Sequence, residues 1–240
     1  MNYPRHVQLS SRLRVPVSGL AILVILLAAV SFAASSTRAS ESSQSQIAEI
    51  KRAVVIITTY DDQGKPMLQG TGFFIDVEEV VTSLHVIKGA NQIRIETFAG
   101  TTTTVQAVLA TSEETDLALL RIKQPCPNSA VLQMVTVPPA EGESVMLVSN
   151  PQGSRWKVTR GNVGMLWEFA GISTRLQITA AIRPGSSGGP VVNERGQVIG
   201  IAALHANSAD DLNFAVPVQS LRTLQAQARL QATPGVVQSN

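Results

Sequence analysis

The 240-residue chain is 44% hydrophobic, 15% charged and 4% aromatic, with a formal net charge of +2. Residues 1–39 hold four of the 19 basic residues and none of the 17 acidic ones, so the remainder is net −2 and keeps no Lys/Arg stripe to neutralise phosphates; nucleic acid is excluded as a partner. Cys126 is the only cysteine, so no intramolecular disulfide can form and stability rests on the core.

In chain order, Arg5, Arg12 and Arg14 form a positive segment followed by the apolar "LAILVILLAAV" and the small residues of "SFAAS", the pattern of an export signal cleaved after Ala33 or near Ala39. The uncharged run from Val15 to Thr37 has 23 residues, and a spanning helix needs about 20, so a retained membrane tether through residues 15–37 is the alternative. In both cases the chain beyond residue 40 is delivered outside the cytoplasmic membrane. Residues 40–46 are Ser-rich and read as a flexible linker.

From Ile47 onward short β-branched and apolar runs recur: "AVVIITT", "GTGFFI", "EVVTSL", "QIRIET", "TTTTVQAVLA", "LALLRI", "SVMLVS", "RLQITAA", "PVVN", "QVIGIAAL" and "LNFAVPV". Turn residues separate them, which predicts an all-β sandwich or a pair of barrels. Residues 218–231 read as the one helix, with Leu221, Leu224 and Leu230 as its packing face. The folded domain is placed at 47–231 and a disordered tail at 232–240.

"GSSGGP", residues 185–190, is the segment that could carry chemistry. A serine hydroxyl becomes a nucleophile only with a base in reach, an acid to orient that base, and N–H donors for the oxyanion. The exported part has two histidines: His85, at the end of an apolar strand, and His205, in a polar loop where an exposed bystander is the better account. Asp116 directly precedes a strongly apolar strand, whereas Asp61, Asp62, Asp210 and Asp211 sit in polar turns. Gly185 permits its own N–H and that of Ser187 to point at one spot, and Gly188 and Gly189 are expected to keep side chains out of a substrate's path. Either Ser186 or Ser187 could be the nucleophile on composition alone.

These segments resemble the chymotrypsin-fold serine proteases, in particular the bacterial HtrA/Deg branch. "GSSGGP" is similar to G-[DN]-S-G-G-P, "GTGFFI" to G-S-G-F-I-I, "VTSLHVI" to T-N-x-H-V-I and "TDLALLRI" to D-L-A-L-L-K-I, in the order His, Asp, Ser. The resemblance implies two packed six-stranded antiparallel β-barrels with a short C-terminal helix. It makes His85 the general base, Asp116 its orienter and Ser187 the nucleophile, with Gly185 and Ser187 as oxyanion-hole donors. It places an extended peptide along "GIAALH", with Ala181, Ile201, Ala202 and Ala203 as substrate-binding residues suited to a modest apolar side chain. It implies no metal and no cofactor, polypeptide substrates, a periplasmic location, and a homotrimer formed through residues 47–60.

Ser186, Thr179, Arg183 and Ser83 depart from the family's pattern, and no PDZ domain is expected after Pro217, where 23 residues remain. The function implied is that of an exported serine endopeptidase acting on unfolded or extended proteins. The alternatives are a catalytically weak or inactive module that binds polypeptides in a chaperone-like or regulatory role, and hydrolysis of a non-peptide ester or amide.

Overall fold

The computed structural model describes residues 43–152, 154–169, 173–203 and 212–232. Residues 1–42, on which the export-signal reading falls, His205 and the segment 233–240 lie outside the described residues. The described residues from Gln46 onward form one compact unit that contains every described strand.

Twelve strands close into two antiparallel barrels of six. The first contains β1 (Val54–Tyr60), β2 (Pro66–Phe74), β3 (Glu79–Ser83), β4 (Gln92–Thr97), β5 (Thr102–Ser112) and β6 (Leu117–Ile122), in the spatial order β1-β2-β3-β6-β5-β4. The second contains β7 (Ser144–Ser149), β8 (Lys157–Phe169), β9 (Ser173–Ile178), β10 (Pro190–Asn193), β11 (Val198–Ala203) and β12 (Asn213–Pro217), in the order β10-β11-β12-β9-β8-β7. This is the chymotrypsin-like pair of barrels that the motifs imply.

Strand period explains why the sequence shows continuous apolar runs where alternation is usual. Successive side chains point to opposite faces, and here both faces are buried. Val55, Phe74, Val80 and Leu120 fill the interior of barrel one. Their neighbours Val54, Phe73, Val81 and Leu119 pack into a second cluster with Val148, Val192, Val198, Ile201 and Val216 from barrel two. Barrel two has its own interior of Val145, Leu147, Val163, Leu176, Ile178, Val191 and Ile199. Cys126 packs in barrel one, where burial pushes its thiol pKa up and leaves it unreactive.

The helices differ from expectation in three ways. Residues 43–53 form α1, so helix begins inside the stretch 40–46 read as linker; Ile50 and Ala53, three apart, bury one side of it. A four-residue helix, α2 (Leu84–Ile87), follows β3. The C-terminal α3 (Val218–Ala232) packs Leu221, Leu224 and Ala228 on the shared cluster, while Leu230 is 77% exposed. At 100° per residue Leu230 lies opposite Leu221, so Ala228 takes its place on the packing face.

The longest strand, β8, was missing from the predicted runs. Its sequence, KVTRGNVGMLWEF, is interrupted by glycines and largely exposed. Gly161 is required by packing: a Cβ there would lie 2.2 Å from the Ala180 nitrogen.

Candidate active site

The register between β3 and β6 pairs Ser83 with Leu117, which brings the residue after Ser83 beside the residue before Leu117. The Leu84 N–H donates to the Asp116 carbonyl at 2.9 Å, and the His85 N–H donates to Asp116 Oδ1 at 2.8 Å. His85 Nδ1 meets Asp116 Oδ2 at 2.6 Å. Three contacts therefore fix one carboxylate and one imidazole against each other. Since a carboxylate only accepts, Nδ1 carries the proton and Nε2 is left as a basic lone pair.

Burial of Leu84, Val86 and Ile87 turns His85 outward, with its side chain 46% exposed. Asp116 has φ +59°, a left-handed conformation in which Asp is among the better tolerated residues. Turning the chain there lets one residue offer both its carbonyl and its carboxylate to the start of α2.

The serine loop consists of two consecutive turns. The Ser186 N–H donates to the Arg183 carbonyl at 2.8 Å, with Pro184 and Gly185 (φ +92°) at the centre. The Gly189 N–H donates to the Ser186 carbonyl at 3.0 Å, with Ser187 and Gly188 (φ +85°) at the centre. A positive φ at the third position is the mark of a type II turn. Types I and II differ by a flip of the central peptide, which in the first turn carries the Gly185 N–H, so turn type decides where that donor points. The N–H groups of Ser186, Gly188 and Gly189 are all used internally. Among the described residues, those of Gly185 and Ser187 have no hydrogen-bond partner. A loop that satisfies its other donors and leaves these two can bind an oxyanion.

Barrel one holds this loop. The Thr71 N–H donates to the Ser187 carbonyl at 3.0 Å, and Thr71 Oγ1 donates to the Gly185 carbonyl at 2.7 Å. Thr71 Oγ1 also accepts the Asn150 N–H at 2.9 Å, and Asn150 Nδ2 donates to the Val55 carbonyl at 3.0 Å. Ser186 Oγ accepts from Ser149 Oγ at 3.0 Å and from the Arg183 N–H at 3.3 Å, so the buried Ser186 is an anchor of the turn. Thr179 Oγ1 accepts the Asn162 N–H at 2.8 Å and supports β8 rather than the loop.

The two glycines after Ser187 are required by the protein's own packing. A Cβ at Gly188 would lie 2.2 Å from the Thr71 carbonyl oxygen, 2.5 Å from Thr82 Oγ1 and 2.8 Å from the Ser83 nitrogen. A Cβ at Gly189 would be less crowded, 3.0 Å from the carbonyl oxygens of Ser186 and Val148. Both glycines make room for the protein's own backbone and press the loop onto the end of β3, two residues before His85.

Of the residues expected to bind substrate, Ile201, Ala202 and Ala203 are buried in β11 and Ala181 is half-buried. Both backbone groups of Ala202 are occupied, its N–H by the Gly189 carbonyl at 2.8 Å and its carbonyl by the Gly188 N–H at 2.9 Å. The backbone of Ala202 therefore holds the serine loop, while Ile201 pairs with Pro190 and Val216 in the sheet. Among the described residues Ser187 Oγ makes no hydrogen bond.

Sequence reasoning missed Thr71, Ser149 and Asn150. A threonine between two glycines in a buried strand was the available signal for Thr71. Thr71→Val keeps the shape but leaves the Gly185 carbonyl and Asn150 N–H unpaired, each a cost of about 1–3 kcal/mol. The expected result is a loss of about 10- to 100-fold in kcat on a fluorogenic peptide with KM little changed, because the oxyanion donors act in the transition state.

Residues 70–201 match the family model for a trypsin-like peptidase domain. The chain is 34% identical over 169 residues to the putative serine protease HhoA of Synechocystis sp., covering 65% of this chain and 42% of that protein. It is 33% identical over 154 residues to the serine protease Do-like HtrB of Bacillus subtilis, covering 59% and 33%. It thus spans less than half the length of either relative. The Rv3671c protease of M. tuberculosis, in its active form, shares the fold with a TM-score of 0.70 at 23% identity, over 80% of this chain and 86% of that one. With more than half its length matched and both barrels closed, the chain belongs to the trypsin-like peptidase domain family, on its HtrA/Do-like side.

Proposed function

We propose that the protein is an exported serine endopeptidase that hydrolyses peptide bonds in unfolded or extended polypeptides. Ser187 Oγ attacks the scissile carbonyl carbon while His85 Nε2 accepts its proton. Asp116 holds the imidazole and stabilises the imidazolium that forms. The oxyanion accepts from the N–H groups of Gly185 and Ser187. Collapse of the tetrahedral species breaks the C–N bond, the leaving amine takes the proton from His85, and an ester remains on Ser187. Water, deprotonated by His85, then attacks this acyl-enzyme and releases the acid.

The observation that carries the reading is the pairing of a fixed His85–Asp116 contact with a loop whose two unused N–H groups flank Ser187. Export is proposed from the charge pattern of residues 1–39, the periplasm being its destination.

A fluorophosphonate probe tests the proposal. The purified protein becomes labelled, and peptide mapping finds the adduct on Ser187. An adduct on Ser186 moves the nucleophile by one residue. No adduct, with binding of unfolded casein retained, replaces the protease by a polypeptide-binding module.

A further inference from the structure

Arg175 stands apart from the machinery described so far. It lies on β9, between Thr174 and the barrel-lining Leu176, so its side chain leaves barrel two on the outer face. It is only 5% exposed. Its guanidinium donates from Nη2 to the Glu114 carbonyl at 3.4 Å, in the turn that ends at Asp116, and from Nη1 to the Thr174 carbonyl at 3.1 Å. Its Nε is buried with no partner.

Two carbonyls are poor compensation for a buried cation, which loses several kcal/mol of hydration unless an opposite charge is near. The negative charges that act on Arg175 are those of Asp116 and Glu114, while burial pulls its pKa below the ordinary arginine range. An arginine stays charged in a protein. Glu114 is exposed and screened by water, which leaves the half-buried Asp116 as the better sheltered counter-charge.

We propose that Arg175 is a positioning residue for the catalytic pair: from barrel two it holds the turn 113–116 of barrel one and supplies a fixed positive charge behind Asp116. The charge has a sign-specific consequence. A fixed cation behind the pair opposes the arrival of further positive charge there, so its removal is expected to move activity toward higher pH. Of the other described charged groups nearby in the chain, Lys88, just after α2, is bonded to Glu113 at 3.0 Å in an exposed ion pair, and Glu114 shares the turn.

The inference rests on the roles given to His85 and Asp116, and its test separates the two. Arg175→Gln keeps donors for the Glu114 and Thr174 carbonyls and removes the charge. It moves the acidic limb of the kcat/KM profile to higher pH by about 0.5–1 unit, a fall of about three- to tenfold at pH values below the limb. Arg175→Lys, which keeps the charge, leaves the limb in place. The same upward shift appears in the imidazole NMR titration of His85 in the Ser187→Ala protein, a readout that needs no turnover. If Arg175→Gln does not fold, Arg175→Met carries the same comparison. A lowered Tm with an unmoved limb and an unmoved His85 midpoint would overturn the proposal and leave Arg175 as a structural cation only.

Discussion

Asp116→Asn lowers kcat/KM by about 10⁴-fold while the protein remains folded. The asparagine fits where other replacements do not. Position 116 has φ +59°, a region that Asn enters readily and Ala does not, so Asp116→Ala would combine backbone strain with loss of the carboxylate. Asn keeps an oxygen that can accept the His85 backbone N–H now bonded to Oδ1. Its NH₂ then takes the place of Oδ2 and donates to Nδ1, so the imidazole proton moves to Nε2 and the basic lone pair is lost from the side a nucleophile needs. Steady-state kinetics with a fluorogenic peptide measures the loss, and thermal unfolding measures the accompanying cost. That cost is expected to be real, because the variant also removes a negative charge near the buried Arg175. A kcat/KM within tenfold of the parent would remove Asp116 from the proton-transfer machinery.

The strand content and the pair of barrels were legible in the sequence, and the contact between His85 and Asp116 joins two residues it singled out, because each left a local mark. Apolar runs such as "LALLRI" and "SVMLVS" coincide with β6 and β7. Asp116 stood out as an acid directly before such a run. Residues whose work depends on a partner far along the chain left no such mark. Thr71 acts on Gly185 across 114 positions, and Asn150 on Val55 across 95. Arg175 carries no local mark either, since the closing of barrel two beside the turn 113–116 is what buries it. β8 was hidden for the converse reason, because its glycines serve close approach to neighbouring strands and read locally as breaks. Ser186 is the instructive middle case. Composition made it a second candidate nucleophile, but its hydroxyl is committed to Ser149 and Arg183, so the fold distinguishes two adjacent serines by their hydrogen bonds.

Gly188→Ala produces the largest combined loss, and Gly100→Ala shows which part of it comes from position rather than conformation. Both glycines have left-handed backbones, φ +85° and +83°. A Cβ at Gly100 meets nothing within 4 Å, so that substitution costs only the backbone strain, about 1–2 kcal/mol. At Gly188 the same strain is joined by a Cβ 2.2 Å from the Thr71 carbonyl oxygen and 2.5 Å from Thr82 Oγ1. Neither neighbour can give way cheaply. Thr82 Oγ1 donates to that same Thr71 carbonyl at 2.7 Å, and the Thr71 N–H holds the Ser187 carbonyl at 3.0 Å. Overpacking of this kind adds about 1–3 kcal/mol. The loop can relieve it only by lifting off barrel one, which carries Ser187 away from His85 and breaks the turns that orient the two free N–H groups. Gly188→Ala is therefore expected to lower stability by about 2–5 kcal/mol in urea unfolding and to abolish fluorophosphonate labelling even in the fraction that remains folded. Gly100→Ala labels at the parental rate. Equal behaviour of the two variants would mean that the contact between the serine loop and β3 does not position the nucleophile.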